Sequence, residues 1–123
     1  RAGSSGVFAH GDDMAKLGDY AWFRSNSNGA ANKCGGKLAN PWGLHDMTGN
    51  VWEWCNDWYS EKFLVADTED PVGPDACPDS CKVLRGGAFT SSANDLRSSA
   101  RFQFSHKGGR RNIGFRVVCG PGL

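Results

Sequence analysis

The chain has 123 residues, 14 Lys and Arg against 13 Asp and Glu, and a formal net charge of +1. That length suits one domain with its own core, and so even a balance argues against nucleic acid or an anionic membrane as the partner. The 17 glycines and 5 prolines signal many turns, but 39% hydrophobic residues exclude a disordered chain, and no apolar run nears the ~18 residues of a spanning helix.

The chain opens on "RAGSSGVFAHGDD", with no initiator Met and no signal-peptide pattern, which reads as mid-domain loop of a longer product. Through residue 40 it is rich in Gly, Asn and Ser. "LGDYAWF" is the one piece expected to be ordered there, before the polar loop "RSNSNGAANKCGGK". Residues 41–65 hold four of the five tryptophans, Trp42, Trp52, Trp54 and Trp58. Within them "NVWEWC" alternates as a strand does, placing Trp52 and Trp54 on one face and Val51, Glu53 and Cys55 on the other. Residues 66–81 are loop, punctuated by Pro and Asp. "KVLRGGAF" and "GFRVVC" read as two further strands, with "TSSANDLRSSARFQFSHKGGRRN" between them. Repeats and long amphipathic helices are missing, so the expected domain, 1–123, is rich in strand and loop.

Five cysteines leave at least one unpaired within the chain. Cys77 and Cys81 flank a Pro-Asp turn at a spacing that can close a small disulfide loop. Cys34 and Cys119 can pair or stay free, and Cys55, between Trp54 and Asn56, suits a buried thiol. Cys-x3-Cys without a nearby His is not a zinc pattern. Cysteine usage favours an extracytoplasmic or secreted location.

Taken in order, "NPWGLHDMTGNVWEWCNDWY", "DPVGP", "KVLRGGAF", "LRSSAR" and "NIGFRVV" resemble the formylglycine-generating enzymes, or sulfatase-modifying factors, over nearly the whole chain. The resemblance implies an α+β fold, a variant of the C-type lectin fold made of short twisted strands and irregular loop. It also implies that these residues form the C-terminal part of a larger domain. A companion chain, a second copy or an upstream fragment is then expected to complete the domain and cover the tryptophans.

The enzymes of that family oxidise a substrate cysteine with copper held by two cysteines after the Gly-Gly motif. Here Ser91 stands at the first of those positions, and no cysteine follows before Arg101. Serine is a poor Cu(I) ligand and, with no His or Lys beside it, a poor nucleophile. No copper is expected, and formylglycine formation is not the expected activity. An iron site of the kind used by another branch needs a His pairing that His10, His45 and His106 do not offer. His45 is adjacent to Asp46 and therefore points away from it.

Other relatives are ligand-binding modules, among them variable proteins diversified by retroelements. By that resemblance the ligand face lies between Phe89 and Lys107 and includes Phe89, Thr90, Ser91, Ser92, Asn94, Asp95, Phe102, Phe104, Ser105 and His106. Aromatic residues among small polar ones suit an adaptable face; the alternative makes Phe102 and Phe104 core on one strand face. The resemblance also implies structural calcium, with side-chain oxygens from Asp46 and Glu53 and carbonyls from Gly49 and Val51. The metal-free alternative has Asp46 and Glu53 capping the turn. The family's second calcium site, near "LGDYAWF", lacks side-chain ligands in this sequence. Arg85 in "LRGG" and Arg116 in "GFRVV" are expected as ion-pair partners of acidic residues in the tryptophan segment, with Arg110 and Arg111 on a solvated loop. The leading expectation is a non-catalytic, calcium-stabilised binding module or subunit. The alternatives are a divergent oxidoreductase component, whose missing ligands come from another chain, and a diversified ligand-binding protein.

Overall fold

The alternation at "NVWEWC" becomes strand β1, Trp52–Trp58, in a computed structural model that describes residues 2–62 and 73–120. "KVLRGG" supplies β2, Cys81–Arg85, which runs antiparallel to β1 with Glu53 opposite Arg85 and Trp54 opposite Leu84. The pairing shifts between Trp54 and Trp58, so β1 twists away over its second half. β3, Phe102–Ser105, lies antiparallel on the far side of β2, and β4, Ile113–Gly114, lies parallel to the start of β1. The four strands form one sheet in the order β3-β2-β1-β4.

Helix is scarce, as expected of an α+β chain with so many turns. A 3-10 turn at Met14–Lys16 runs into the single α-helical turn α1, Leu17–Tyr20, and a second 3-10 turn spans Ala93–Leu96. Asp13 caps the first, and Ser92 with Asp95 forms a reciprocal capping box on the second. Among the described residues, no helix is long and apolar enough to cross a membrane.

The core has two centres. Phe8, Leu17, Ala21 and Leu96 pack α1 against the second 3-10 turn, while Trp52, Leu84 and Ala88 fill the space on the sheet. The Gly-Asn turn before β1 joins them. Gly49 has φ +81° and its Cα faces Trp22 so closely that a Cβ there would sit 2.4 Å from the Trp22 carbonyl oxygen; only glycine fits. Asn50, with φ 63°, is buried and bonded on every side. Its N–H donates to Trp22 O at 2.7 Å, its carbonyl accepts the Phe89 N–H at 2.7 Å, and its amide exchanges two bonds with the Asn32 backbone. One side chain thereby ties the polar loop, β1 and the segment after β2 together.

Two expectations change. "GFRVVC" enters the sheet only at Ile113–Gly114, whose partners are Trp52 and Glu53. Beyond them the segment is held by the Arg116 side chain rather than by a ladder, and Phe115, Val117 and Val118 are exposed. β3 forms within the stretch given no element of its own from sequence, and it puts Phe102 and Phe104 on one strand face, as in the alternative reading. The tryptophans also separate: Trp52 is core, Trp54 and Trp58 are half-buried, and Trp42 is exposed. Of the loop expected over 66–81, residues 66–72 lie outside the described residues, as do Arg1 and the last three residues of the 41–65 block.

Candidate functional site

Because successive strand residues point to opposite faces, β1 builds two different surfaces. On one, Trp52 stacks on Phe102 at 5.5 Å between centroids and Trp54 tilts against Phe104 at 6.3 Å. The pairing of Leu84 with Phe102 and of Lys82 with Phe104 brings those rings across β2 to β1. Trp52 is the buried member and Phe102 the exposed one, at 8% and 51%. Trp52, Phe102 and Phe104 line a cleft of about 320 Å³ together with Ile113, Asn112, Thr90 and Ser91.

The same cleft is lined by Arg24, Arg97, Arg101 and Arg110, against one carboxylate, Asp95. Asp95 is occupied: its Oδ2 accepts both the N–H and the hydroxyl of Ser92. Among the described residues, Arg24, Arg97 and Arg110 are held by carbonyls and a ring rather than by acids. Arg24 Nε donates to Thr90 O at 3.0 Å, Arg97 Nε donates to Asn94 O at 2.8 Å, and the Arg110 guanidinium lies 4.7 Å from the Phe104 ring centre.

Of the residues expected on a ligand face, Thr90, Ser91, Asp95, Phe102 and Phe104 line this cleft. Phe89 does not: it is 2% exposed, a core ring with the Arg111 guanidinium above it. Ser91 is also nearly buried, and its Oγ accepts the Ala88 N–H at 3.0 Å. Ser92 serves the capping box, and Asn94 is exposed beside it. His106 sits at the other end of β3, edge-on to Trp58 and donating from Nδ1 to Ser80 O. The cleft arginines were visible in the sequence but were not assigned to the ligand face. Arg97 and Arg101 stand just ahead of "FQF" and Arg110 just after its turn, a spacing that places cations around exposed rings.

The other face of β1 carries Glu53, and here the expected arginine pair forms. Arg116 grips both oxygens of the Glu53 carboxylate, at 2.8 and 3.1 Å, and reaches the His45 carbonyl at 2.9 Å. The Glu53 hydrogen bonds hold the Arg116 guanidinium above its already high range. Arg85 instead donates to the carbonyls of Ser98, Ser99 and Ala100. A concavity of about 470 Å³ is lined by Asp46, Val51, Glu53, Asn50 and Cys34 among others, while Gly49 stays buried within the turn. Asp46 takes φ 55° and accepts the Gly35 N–H at 2.7 Å with Oδ2; its Oδ1 is buried with no partner. A buried carboxylate oxygen without a donor is the kind of group an ion or ordered water completes. The donor set is all oxygen, and Glu53 keeps lone pairs beyond the two that Arg116 takes, so these residues fit a hard cation. His45 Nδ1 donates to Lys37 O, away from Asp46.

Cys77 and Cys81 carry free thiols. The Cys81 thiol is held above its ordinary range by desolvation first, then by Cys77 and Asp79 beside it. Burial likewise pushes the Cys55 thiol up.

A sequence model of the sulfatase-modifying factor enzyme 1-like domain matches residues 2–120. The serine/threonine-protein kinase pkn1 of Chlamydia pneumoniae is 40% identical over 80 residues, 64% of this chain and 13% of the kinase. The formylglycine-generating enzyme of Streptomyces coelicolor is 40% identical over 83 residues, 64% of this chain and 26% of that enzyme. Among solved structures, Treponema denticola variable protein 1 superposes with a TM-score of 0.84 at 33% identity, covering 93% of this chain and 41% of the other. The chain thus spans well under half the length of each of these relatives. Its α+β fold is that of the formylglycine-generating enzymes, and the chain belongs to the sulfatase-modifying factor enzyme 1-like domain family.

Proposed function

We propose that this domain is a non-catalytic binding module, stabilised by calcium at the Asp46 turn, whose ligand face is the cleft between β1, β3 and the Thr90–Ser91 segment. The observation that carries the reading is Ser91. It stands where the resemblance puts a copper-binding cysteine, and its oxygen is already committed to the Ala88 N–H. A hydroxyl in that position is a weak Cu(I) ligand and has no base to activate it. The rings and arginines around it are recognition chemistry. The variable protein from Treponema, similar over nearly all of this chain, supports the same reading, and a diversified ligand face is its narrower form.

Calcium would be held by Asp46 and Glu53 side chains with the Gly49 and Val51 carbonyls, its charge answering the orphaned Asp46 Oδ1. A companion chain or further segment covering exposed Trp42, Leu38 and Leu44, and separately Phe115, Val117 and Val118, belongs to the same proposal. Sedimentation velocity reads it: a self-sufficient monomer at all concentrations argues against self-association, and unchanged tryptophan exposure on adding candidate segments argues against a companion.

The competing reading is a divergent oxidoreductase component, favoured by the identity to formylglycine-generating enzymes. Two measurements on the purified domain test the choice. Chelation is expected to lower the melting temperature of the parent protein and to leave Asp46→Ala unmoved. Added Cu(I) is expected to cause no oxygen uptake with a cysteine-containing peptide. Chelator-independent melting removes the calcium site, and copper-dependent oxygen uptake replaces the binding module with the enzyme.

A further inference from the structure

The chemistry of the cleft narrows what it can hold. The guanidinium groups of Arg24, Arg97 and Arg110 line it beside one internally satisfied carboxylate, so these side chains make it locally positive although the chain as a whole is nearly neutral. Arg24, Arg97 and Arg110 make no ion pair with any described carboxylate. Elsewhere Arg116 pairs with the Glu53 carboxylate. Here the partners of the three arginines are two backbone carbonyls and a ring. A guanidinium stacked on a ring has its flat face covered and its N–H groups free in its own plane, where they meet an oxyanion two at a time. The half-exposed Phe102 ring, backed by buried Trp52, offers an apolar flat surface in the same cleft. A volume near 320 Å³ is at the small end of ligand sites, room for about one ring and one charged group.

We propose that the cleft takes an anionic ligand with a planar apolar body, a carboxylate or phosphate carried on a ring, the ring lying on Phe102 and Trp52 and the oxyanion between Arg97 and Arg110. This rests on the cleft being the ligand face. Two features oppose a cationic or neutral ligand. A cation would displace no counter-charge and would be repelled by every charged group in the cleft but Asp95, while a neutral ring would leave the guanidinium edges with water alone.

The test uses the 123-residue chain with three small probes of similar shape: benzoate, phenyl phosphate and benzylamine. Proton–nitrogen spectra follow the Trp52 indole, assigned through Trp52→Phe. Benzoate and phenyl phosphate are expected to move it saturably, benzylamine not at all, and the order of the two anions tells which oxyanion the arginines prefer. Arg97→Gln and Arg110→Gln are each expected to raise the dissociation constant of the tighter anion about tenfold, the scale of one lost charge-assisted hydrogen bond. Both residues are exposed, so the variants are expected to keep the parent spectrum. Raising salt from 50 to 500 mM on the parent protein should weaken the anions in the same direction, a check that needs no variant. Benzylamine shifting Trp52 with equal affinity overturns the anion preference and leaves the cleft as the ligand face. No probe shifting Trp52, or anions acting unchanged in both Gln variants, overturns the cleft assignment as well.

Discussion

Asn50 is the residue on which the domain's joints converge, and replacing it gives the sharpest test of the architecture. Asn50→Ala removes two bonds to the Asn32 backbone, the N–H donated to Oδ1 at 2.9 Å and the Nδ2–H donated to Asn32 O at 3.1 Å. Asn32 is only half-buried, so water reaches part of the site and the loss is about 1 kcal/mol per bond, the low end of the range for groups left unpartnered. The φ of 63° adds a second cost, because alanine tolerates the left-handed region about 1 kcal/mol less well than asparagine. Together these give about 3 kcal/mol, a large fraction of the ~5–15 kcal/mol that holds a domain folded. Asn50→Gly separates the two costs: it loses the same bonds but accepts the backbone angle, and is expected to destabilise by about 2 kcal/mol. Urea unfolding followed by tryptophan fluorescence reads both, and for Asn50→Ala the midpoint should fall by more than about 1 M. Glycine proving worse than alanine, or either variant unfolding with the parent, refutes the assignment of Asn50 as the joint.

Cys55 gives a pH dependence. Burial raises its thiol pKa above 9.0, Arg85 being the largest influence the other way; stability from the neutral thiol is therefore complete below pH 9 and is lost as pH rises through the folded value. Urea midpoints should decline above pH 9, less so in Cys55→Ala, and Cys55 alkylating as fast as exposed Cys34 contradicts the burial behind this. For Cys77 and Cys81 we expect a disulfide under oxidising conditions, seen by intact mass before and after alkylation. Its formation should be slow near neutral pH, because the Cys81 thiol is held protonated, and its stabilising effect small, because the loop is short. Both thiols labelling freely after oxidant treatment removes the pair.

How legible this was depended on the range of each interaction. β1 was readable because its alternation is local: Trp52 and Trp54 go to one face and Glu53 to the other whatever lies around them. β3 was legible only as an alternative, because "FQFS" has four residues, an exposed Phe102 and polar flanks, a short signal against its surroundings. "GFRVVC" erred the other way. Its β-branched residues suit a strand, but pairing stops where β1 offers Trp52 and Glu53 and nothing more. The Gly-Asn turn was visible as a turn, yet Asn50 meets Asn32 across 18 residues, a partnership no local pattern encodes. Arg24 reaches Thr90 across 66, so its place in the cleft could not be foreseen from its neighbours in "WFRSNS".

The order Gly-Asn-Val-Trp-Glu-Trp can now be understood as a sequence of mechanical requirements. Glycine is needed where the chain passes Trp22 without room for a Cβ, and asparagine follows to bind the polar loop with its side chain. The next four residues then alternate, so that Trp52 and Glu53, adjacent in sequence, serve opposite faces: aromatic cleft and acidic concavity. The Asn50 carbonyl holds the Phe89 N–H, one residue before Thr90 enters the cleft. The Asp46 turn and the segment that shapes the cleft therefore share a single joint. The exposed side chains of Arg97, Phe102 and Arg110 are not among the bonding partners of Asn50, so substitutions there leave the bonds of that joint in place.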